Sequence, residues 1–422
     1  MRLINYKGKY LSMKITTDII KHLDHLEDLL VYGVDGADVM CNFLESIYNY
    51  LNDNGTANIK LKIDGSPAVV ASTDFHGEKF VALKHSWEKG KRFHNDEEIE
   101  LEYGDRPDLA EKLKFILKNL PFINIPKDEV WMGDFLFNRA QDCIIWNYPG
   151  KGDFDCVAFR ANTVIYTYPL YSDTANSILT ADIGIAWHTR YVGNDFSSLH
   201  KGSVISANDI TTVPSVYQMV TDIPKLSSFL SDTQNIVIER LFHEIDENLQ
   251  SLCDDPNYEV FLQSKNLVQR LLKYKNDIIK QYHKETGEYF TAEKFKEVVM
   301  DEMDKHGDNL KSEKGKEQNN IKKSNTEKLL DDSMDMLNRY FKIQDAVVKM
   351  KNIFIEILNK SLGATMYYQK KDNSVNYGSK YVPCTGEGYV ITDNEGNTVK
   401  LVNRLEFSSA NFDDNIIKGW NK

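Results

Sequence analysis

The strongest constraint on this fold is a change of texture that reverses itself. From about residue 58 to 212 the chain is strand-rich: "KFVALKHS", "EVWMGDFLF", "CVAFRANTVIYTYP" and "DIGIAWHTRY" are β-branched or aromatic runs bounded by turn residues. One helix is expected among them, over 109–120. From 215 to about 360, "NIVIERLFHEIDENLQSL", "KNLVQRLLKYKNDIIKQYHK" and "MLNRYFKIQDAVVKMKNIFIEILNKSL" keep helical periodicity with almost no strand signal. Strands then return. "GEGYVITDNEGNTVKLVNR" reads as a hairpin turning at Asp393-Asn394-Glu395-Gly396-Asn397. Strands that open and close a core around a helical block imply an α+β fold with a large helical insertion. The expected divisions are 1–214, 215–362 and 363–422.

Residues 1–55 read as helical. Thr16-Thr17-Asp18 can cap a helix striped by Ile19, Leu23, Leu26 and Leu30, and a second helix runs from Gly36 to Leu51. Within "HLDHLED", His22 and His25 have metal-ligand spacing. With no second ligand pair in view, a solvated helix face with its acids is expected. Lys311 to Lys328 holds six lysines, three glutamates and one apolar residue, Ile321, which predicts a solvated, locally basic loop between helices.

The five cysteines are scattered without a C-x-x-C pair, which argues against a thiolate zinc site and a disulfide framework. No apolar run is long enough to span a bilayer, and "MRLINYKGKYLSMK" lacks a signal-peptide core, so a cytoplasmic protein with no membrane partner is expected. The net charge of −12 excludes a polyanion-binding field over the whole molecule and leaves only local basic patches.

The stretch "IKLKIDGSPAVVAS" carries chemistry. Strand alternation buries Ile59, Leu61 and Ile63 and gathers Lys60, Lys62 and Asp64 on the opposite side, before a turn at Gly65-Ser66-Pro67. That is either the solvated face of an edge strand or a lysine aimed into a pocket as a nucleophile. Three further pieces follow in order: Gly133-Asp134 in an apolar strand, Glu387-Gly388 opening the last hairpin, and Lys400 on its return strand.

This order resembles the covalent nucleotidyltransferases: DNA ligases, RNA ligases and mRNA-capping guanylyltransferases. Lys62-Ile63-Asp64-Gly65 matches their K-x-D-G motif, and Gly133-Asp134 resembles the third motif with Asp in place of Glu. "FDCVAF", ending at Phe159, is similar to the motif that stacks the base. Glu387-Gly388-Tyr389-Val390 matches E-G-h-V, and "VKLVNR" resembles the final K-x-K motif. "DGSPAVV", "IGIAWHTRY" and "KLVNRLEFSSANF" also resemble an uncharacterised group of tailed-bacteriophage proteins.

The resemblance implies an ATP-grasp-like nucleotidyltransferase core of antiparallel sheets. Lys62 would attack the α-phosphate of ATP, forming lysyl-AMP, and an RNA or DNA acceptor would bind through the helical insertion. A buried lysine near a second cation has a lowered pKa, a push that Lys60 and Mg²⁺ would supply. Asp64, Gly65 and Ser66 join the nucleotide site with Phe159. Lys84, Lys400 and Arg404 would neutralise phosphates, and Asp134 and Glu387 would hold Mg²⁺. With the hairpin turn centred near Glu395, Glu387 should pair close to Asn403, roughly 10 Å along the strand from Lys400.

Three departures stand out. The arginine that usually follows K-x-D-G is replaced by Ser66-Pro67, the second basic residue of the final motif is Val402, and Asp134 is one methylene short. Only 22 residues follow Lys400, so no OB-fold domain is expected after the core. The alternative is a non-catalytic phage virion or assembly protein that keeps this core as a binding module. His188 and Arg190 share a strand face where a structural histidine is expected, and Trp131, Trp146 and Trp187 read as core.

Overall fold

The computed structural model describes residues 24–417 apart from 54, 56, 64, 75, 148–154, 203–204, 220, 224–228, 373–377, 394–395, 409 and 411–412. The fold is mixed α+β, with 52% helix and 22% strand. The helix expected to start at Thr16-Thr17-Asp18 has its cap, Ile19 and Leu23 outside the described residues.

A 3-10 segment, Leu26–Tyr32, runs into α1 (Gly33–Leu51). Strands β1 (Asn58–Leu61), β2 (Ala68–Thr73) and β3 (Lys79–Leu83) follow. Helices α2 (Lys84–Trp87), α3 (Asp96–Tyr103) and α4 (Pro107–Asn119) precede β4 (Glu129–Asn138). Next come α5 (Arg139–Asp142), β5 (Cys143–Asn147), β6 (Asp155–Arg160) and β7 (Val164–Pro169). Helix α6 (Asp173–Thr180) leads to β8 (Ile183–Val192), β9 (His200–Lys201) and β10 (Val216–Gln218).

The helical block comprises α7 (Asp232–Cys253), α8 (Pro256–Gln263), α9 (Lys265–Tyr282), α10 (Ala292–Asp308), α11 (Glu313–Asp332) and α12 (Met334–Lys360). Strands β11 (Thr365–Asp372), β12 (Gly378–Cys384), β13 (Tyr389–Thr392) and β14 (Thr398–Leu401) return, followed by a π-helical turn, Arg404–Ser408. Among the described residues, no helix is long and apolar enough to cross a membrane.

The chain divides into two compact units, neither of them a continuous segment. The strand-rich unit takes Lys60–Pro224, Leu362–Glu387 and Asp413–Lys422; the helical unit takes Met1–Ile59, Lys225–Ser361 and Gly388–Phe412. Unit boundaries fall at 59/60, 224/225, 361/362, 387/388 and 412/413. The helical block shares its unit with the N-terminal helix and the last hairpin.

In the strand-rich unit one sheet runs β10-β8-β4-β2-β3 with β9 beside β8, and a second runs β12-β11-β7-β6-β5. Only the β10–β8 pairing is parallel among those described. Helices α3 and α4 bury Ile99, Leu113 and Ile116 in the same core cluster as Val69, Val81, Trp131, Phe135 and Trp187 of the first sheet. Helix α3 starts where Asn95 Oδ1 accepts the Glu98 N–H at 2.9 Å, and three acids in its first turn favour the helix dipole.

In the helical unit α12 buries more than half its length, including Leu337, Phe341, Val347 and Phe354, and so reads as a core helix. The hairpin pairs Tyr389 with Leu401 and Val390 with Lys400, which centres its turn on residue 395 as the sequence expects. Two expectations change. Lys311 to Lys328 is mostly helix, capped by Ser312 Oγ on the Gly315 N–H at 3.1 Å. Helix α11 has no apolar stripe because polar contacts hold it. Buried Asn319 donates to the Met303 carbonyl at 3.1 Å, Lys296 reaches Asp331 at 2.6 Å, and Lys323 pairs with Asp304. Its five lysines are matched by five acids, so its net charge is zero.

The acids of "HLDHLED" are also not on a solvated face. Glu27 is fully buried and Asp28 nearly so, among Lys275, Lys351 and Arg404. Lys351 Nζ lies 2.8 Å from Glu27 Oε1 and 2.7 Å from Glu285 Oε1. Burial pulls the Glu27 carboxyl up, but Lys351 and Arg404 carry it down to about 2. Burial pushes Glu285 up despite Lys351. The His25 imidazole is held well below its ordinary value by burial and by Arg404.

Candidate functional site

Strand β1 ends at Leu61, whose N–H donates to the Thr221 carbonyl at 2.7 Å, so Lys62 is the first residue beyond the strand. The two lysines expected to act together have separate partners. Lys60 is buried and donates to the Ile205 carbonyl at 2.7 Å and to Asp222 Oδ1 at 2.5 Å. Its charge ties β1 to the 205–222 segment. Lys62, with 29% of its side chain exposed, donates to Glu387 Oε2. Glu387 is wholly buried, and its Oε1 has no hydrogen-bond partner among the described residues. Lys62 and Glu387 are 325 residues apart in sequence.

Asp64 lies outside the described residues. Gly65 and Ser66 press onto β4. A Cβ at Gly65 would lie 2.5 Å from the Phe135 carbonyl oxygen and 2.6 Å from Asp134 Cβ, so only glycine fits. Ser66 N–H donates to that same Phe135 carbonyl at 2.9 Å. The loop from Lys62 is thereby docked beside Asp134. Asp134 is half-buried on β4, opposite Ala68 of β2 and Ala186 of β8. The preceding Gly133 faces the Ala186 carbonyl at a bulge where a Cβ would come within 2.5 Å of it. His188 Nε2 is 3.7 Å from Asp134 Oδ2, and its Nδ1 lies 2.8 Å from Thr189 Oγ1.

Helix α4 adds a residue that sequence reasoning missed. Lys112 Nζ lies 3.5 Å from the Ser66 carbonyl and 5.3 Å from the Phe135 ring centroid. Its place on a helix was readable, but its neighbour is 46 residues away and no local pattern marks it. Lys84 is exposed at the start of α2, directly after β3.

Phe159 and Arg404, also expected at the site, have their own partners. Phe159 is 1% exposed and packs on Phe137 at 4.9 Å and Tyr166 at 5.5 Å between ring centroids. It fills the core and does not offer a face for a base, because aromatic side chains already cover it. Lys400 and Arg404 belong to the helical unit. Lys400 N–H donates to the Asp24 carbonyl at 2.9 Å. Arg404 is buried with Glu27, Asp28 and Asn276, so its charge is spent on the carboxylates of its own unit.

Trp131 and Trp187 are core, as expected, while the Trp146 side chain lies outside the described residues. Arg190 pairs with Glu129 at 3.1 Å and Asp209 at 2.7 Å. Burial opposes ionisation of Asp209, yet the Arg190 guanidinium beside it and hydrogen bonds from Ser206 carry its carboxyl down to about 2. The five cysteines are free thiols, and burial pushes Cys143 and Cys253 up to about 12. Neutral thiols of this kind are poor nucleophiles and poor metal ligands.

The Lys62 site therefore unites a partly exposed lysine, a buried carboxylate with one uncommitted oxygen, a second carboxylate beside an imidazole, and a lysine of α4 that reaches the docked loop. Such a set can bind a polyanion and move a proton from an amine. No curated protein and no solved structure matches the chain. A family profile does match residues 20–416, nearly the whole length. The chain belongs to that family, DUF6267, a family of unknown function.

Proposed function

We propose that this chain is an ATP-dependent covalent nucleotidyltransferase, joining polynucleotide ends through a lysyl-AMP intermediate on Lys62. The observation that carries the reading is the meeting of Lys62 with buried Glu387, two residues singled out by motif order alone. An uncommitted buried carboxylate oxygen is costly unless a cation or a proton meets it. Glu387 Oε1 is such an atom. It fits Mg²⁺, which prefers carboxylate oxygens with substrate phosphates completing its shell. Glu387 and Asp134 would hold the ion, whose contribution is to neutralise charge on the phosphates.

The protein's own groups account for the rest. Lys62 gives one proton to water and attacks the α-phosphorus with the freed lone pair. The N–P bond forms as the bond to the bridging oxygen of the β-phosphate breaks, and pyrophosphate leaves with the electron pair. Glu387 takes the second proton from the new phosphoramidate nitrogen. Lys112, beside the Ser66 carbonyl, supplies positive charge at the docked loop, in addition to the cations expected from motif order, Lys84, Lys400 and Arg404. The ATP-grasp-like core belongs to this same reading.

The test is incubation of the pure protein with α-³²P-ATP, GTP or labelled NAD⁺ and Mg²⁺, scored as acid-labile, alkali-stable label on the chain. Label should vanish in Lys62→Ala and persist in Lys89→Ala, an exposed lysine on the turn after α2. No label with any nucleotide, from folded protein stripped of bound ligand, would overturn the reading in favour of a non-catalytic binding module.

A further inference from the structure

A second cluster of chemical groups lies at the β2–β3 hairpin. Asp74, Glu78 and His94 each offer a ligand atom, and the three atoms lie within 4.8 Å of one another. We propose that these residues form a site for a divalent transition-metal ion of the zinc or manganese class.

Each ligand is held by a different device. Asp74 follows β2 and is nine-tenths buried. Its Oδ1 accepts the backbone N–H groups of His76 and Glu78, both at 2.9 Å, which fixes the carboxylate plane. Its Oδ2 accepts no hydrogen bond among the described residues. Oδ2 is therefore open to solvent and available to a cation beside Glu78 and His94. Glu78, just before β3, is exposed and free to swing over that oxygen.

His94 comes from a separate segment. The neighbouring Phe93 exchanges two backbone hydrogen bonds with Val81, each 3.0 Å, which sets His94 alongside the start of β3. Its ring meets Phe80 edge-on at 6.1 Å. His94 Nδ1 lies 3.2 Å from the Lys79 carbonyl and 4.0 Å from Glu78 Oε2. Nδ1 is thus the ring nitrogen that faces Glu78, and the Lys79 carbonyl beside it helps to fix the ring.

The donor set decides the metal class. One imidazole and two carboxylates suit zinc or manganese with water completing the shell, whereas magnesium is poorly served by nitrogen. The ion would clip the β2–β3 turn to the segment that enters α3.

The experiment strips the full-length protein with a chelator and titrates it with zinc chloride, then manganese and magnesium chlorides, in a calorimeter. One saturable zinc equivalent should weaken about tenfold or more in His94→Asn and in Glu78→Gln. It should stay unchanged in Lys62→Ala. His94 and Glu78 have partly or largely exposed side chains, so circular dichroism should report a native fold for both variants. Absence of saturable zinc uptake by the wild-type chain, or equal affinity in wild type and His94→Asn, would overturn the site.

Discussion

At position 65 an added methyl group would meet the Phe135 carbonyl and Asp134 Cβ, and neither can yield, because both belong to a central strand. Gly65→Ala should push the loop carrying Lys62 off β4 and cost about 1–3 kcal/mol, as overpacking does. Thermal unfolding should show a small loss of stability, with nucleotide labelling lost before the fold. Glu387→Gln keeps the shape and removes the charge. Its labelling rate should fall at least a hundredfold, roughly the lower bound for loss of a proton acceptor, in single-turnover assays. Lys62 and Glu387 were singled out by residue type and motif order, and the structure pairs them. Lys60 and Phe159 were misread because the same types serve a buried ion pair and an aromatic core equally well.

At the scale of elements, the buried network of the 3-10 segment, α9, α12 and the π-turn makes the clearest stability prediction. Lys351→Met leaves Glu27 buried without its principal cation and should cost about 3–5 kcal/mol in urea unfolding at neutral pH. The pH dependence follows from the directions of shift. Glu27, held at about 2, contributes stability above its ordinary value of 4.5 and loses it as pH falls towards 2. Glu285, pushed up, has the opposite sign and gains relative stability on acidification. Without Lys351 the Glu27 carboxyl should protonate at higher pH. The stability gap between wild type and variant should then narrow as pH falls through the carboxylate range. Helix α11 and the 3-10 segment were misread for one reason. Polar residues were assigned to solvent, whereas here they find partners across helices.

At the scale of the whole molecule, each compact unit borrows from distant parts of the chain. Strand β11 pairs with β7 through Thr365↔Thr167, Met366↔Tyr166 and the pairs beyond. A fragment of residues 60–224 lacks β11, β12 and Glu387, which leaves β7 as an exposed hydrophobic edge. Such a fragment should elute as aggregate in size-exclusion chromatography, and adding 362–387 in trans should improve its recovery. The sequence by itself determined the strand and helix texture, the hairpin turn centred on residue 395 and the chemical types at Lys62, Asp134 and Glu387, because periodicity, turn chemistry and residue type are local properties. Only the tertiary structure decided that Lys62 meets Glu387 across 325 residues, that Lys60 belongs to Asp222, that Lys112 stands over the docked loop and that Asp74 shares a cluster with His94. Burial and pairing depend on what packs against a side chain, and in this fold that neighbour comes from elsewhere in the chain.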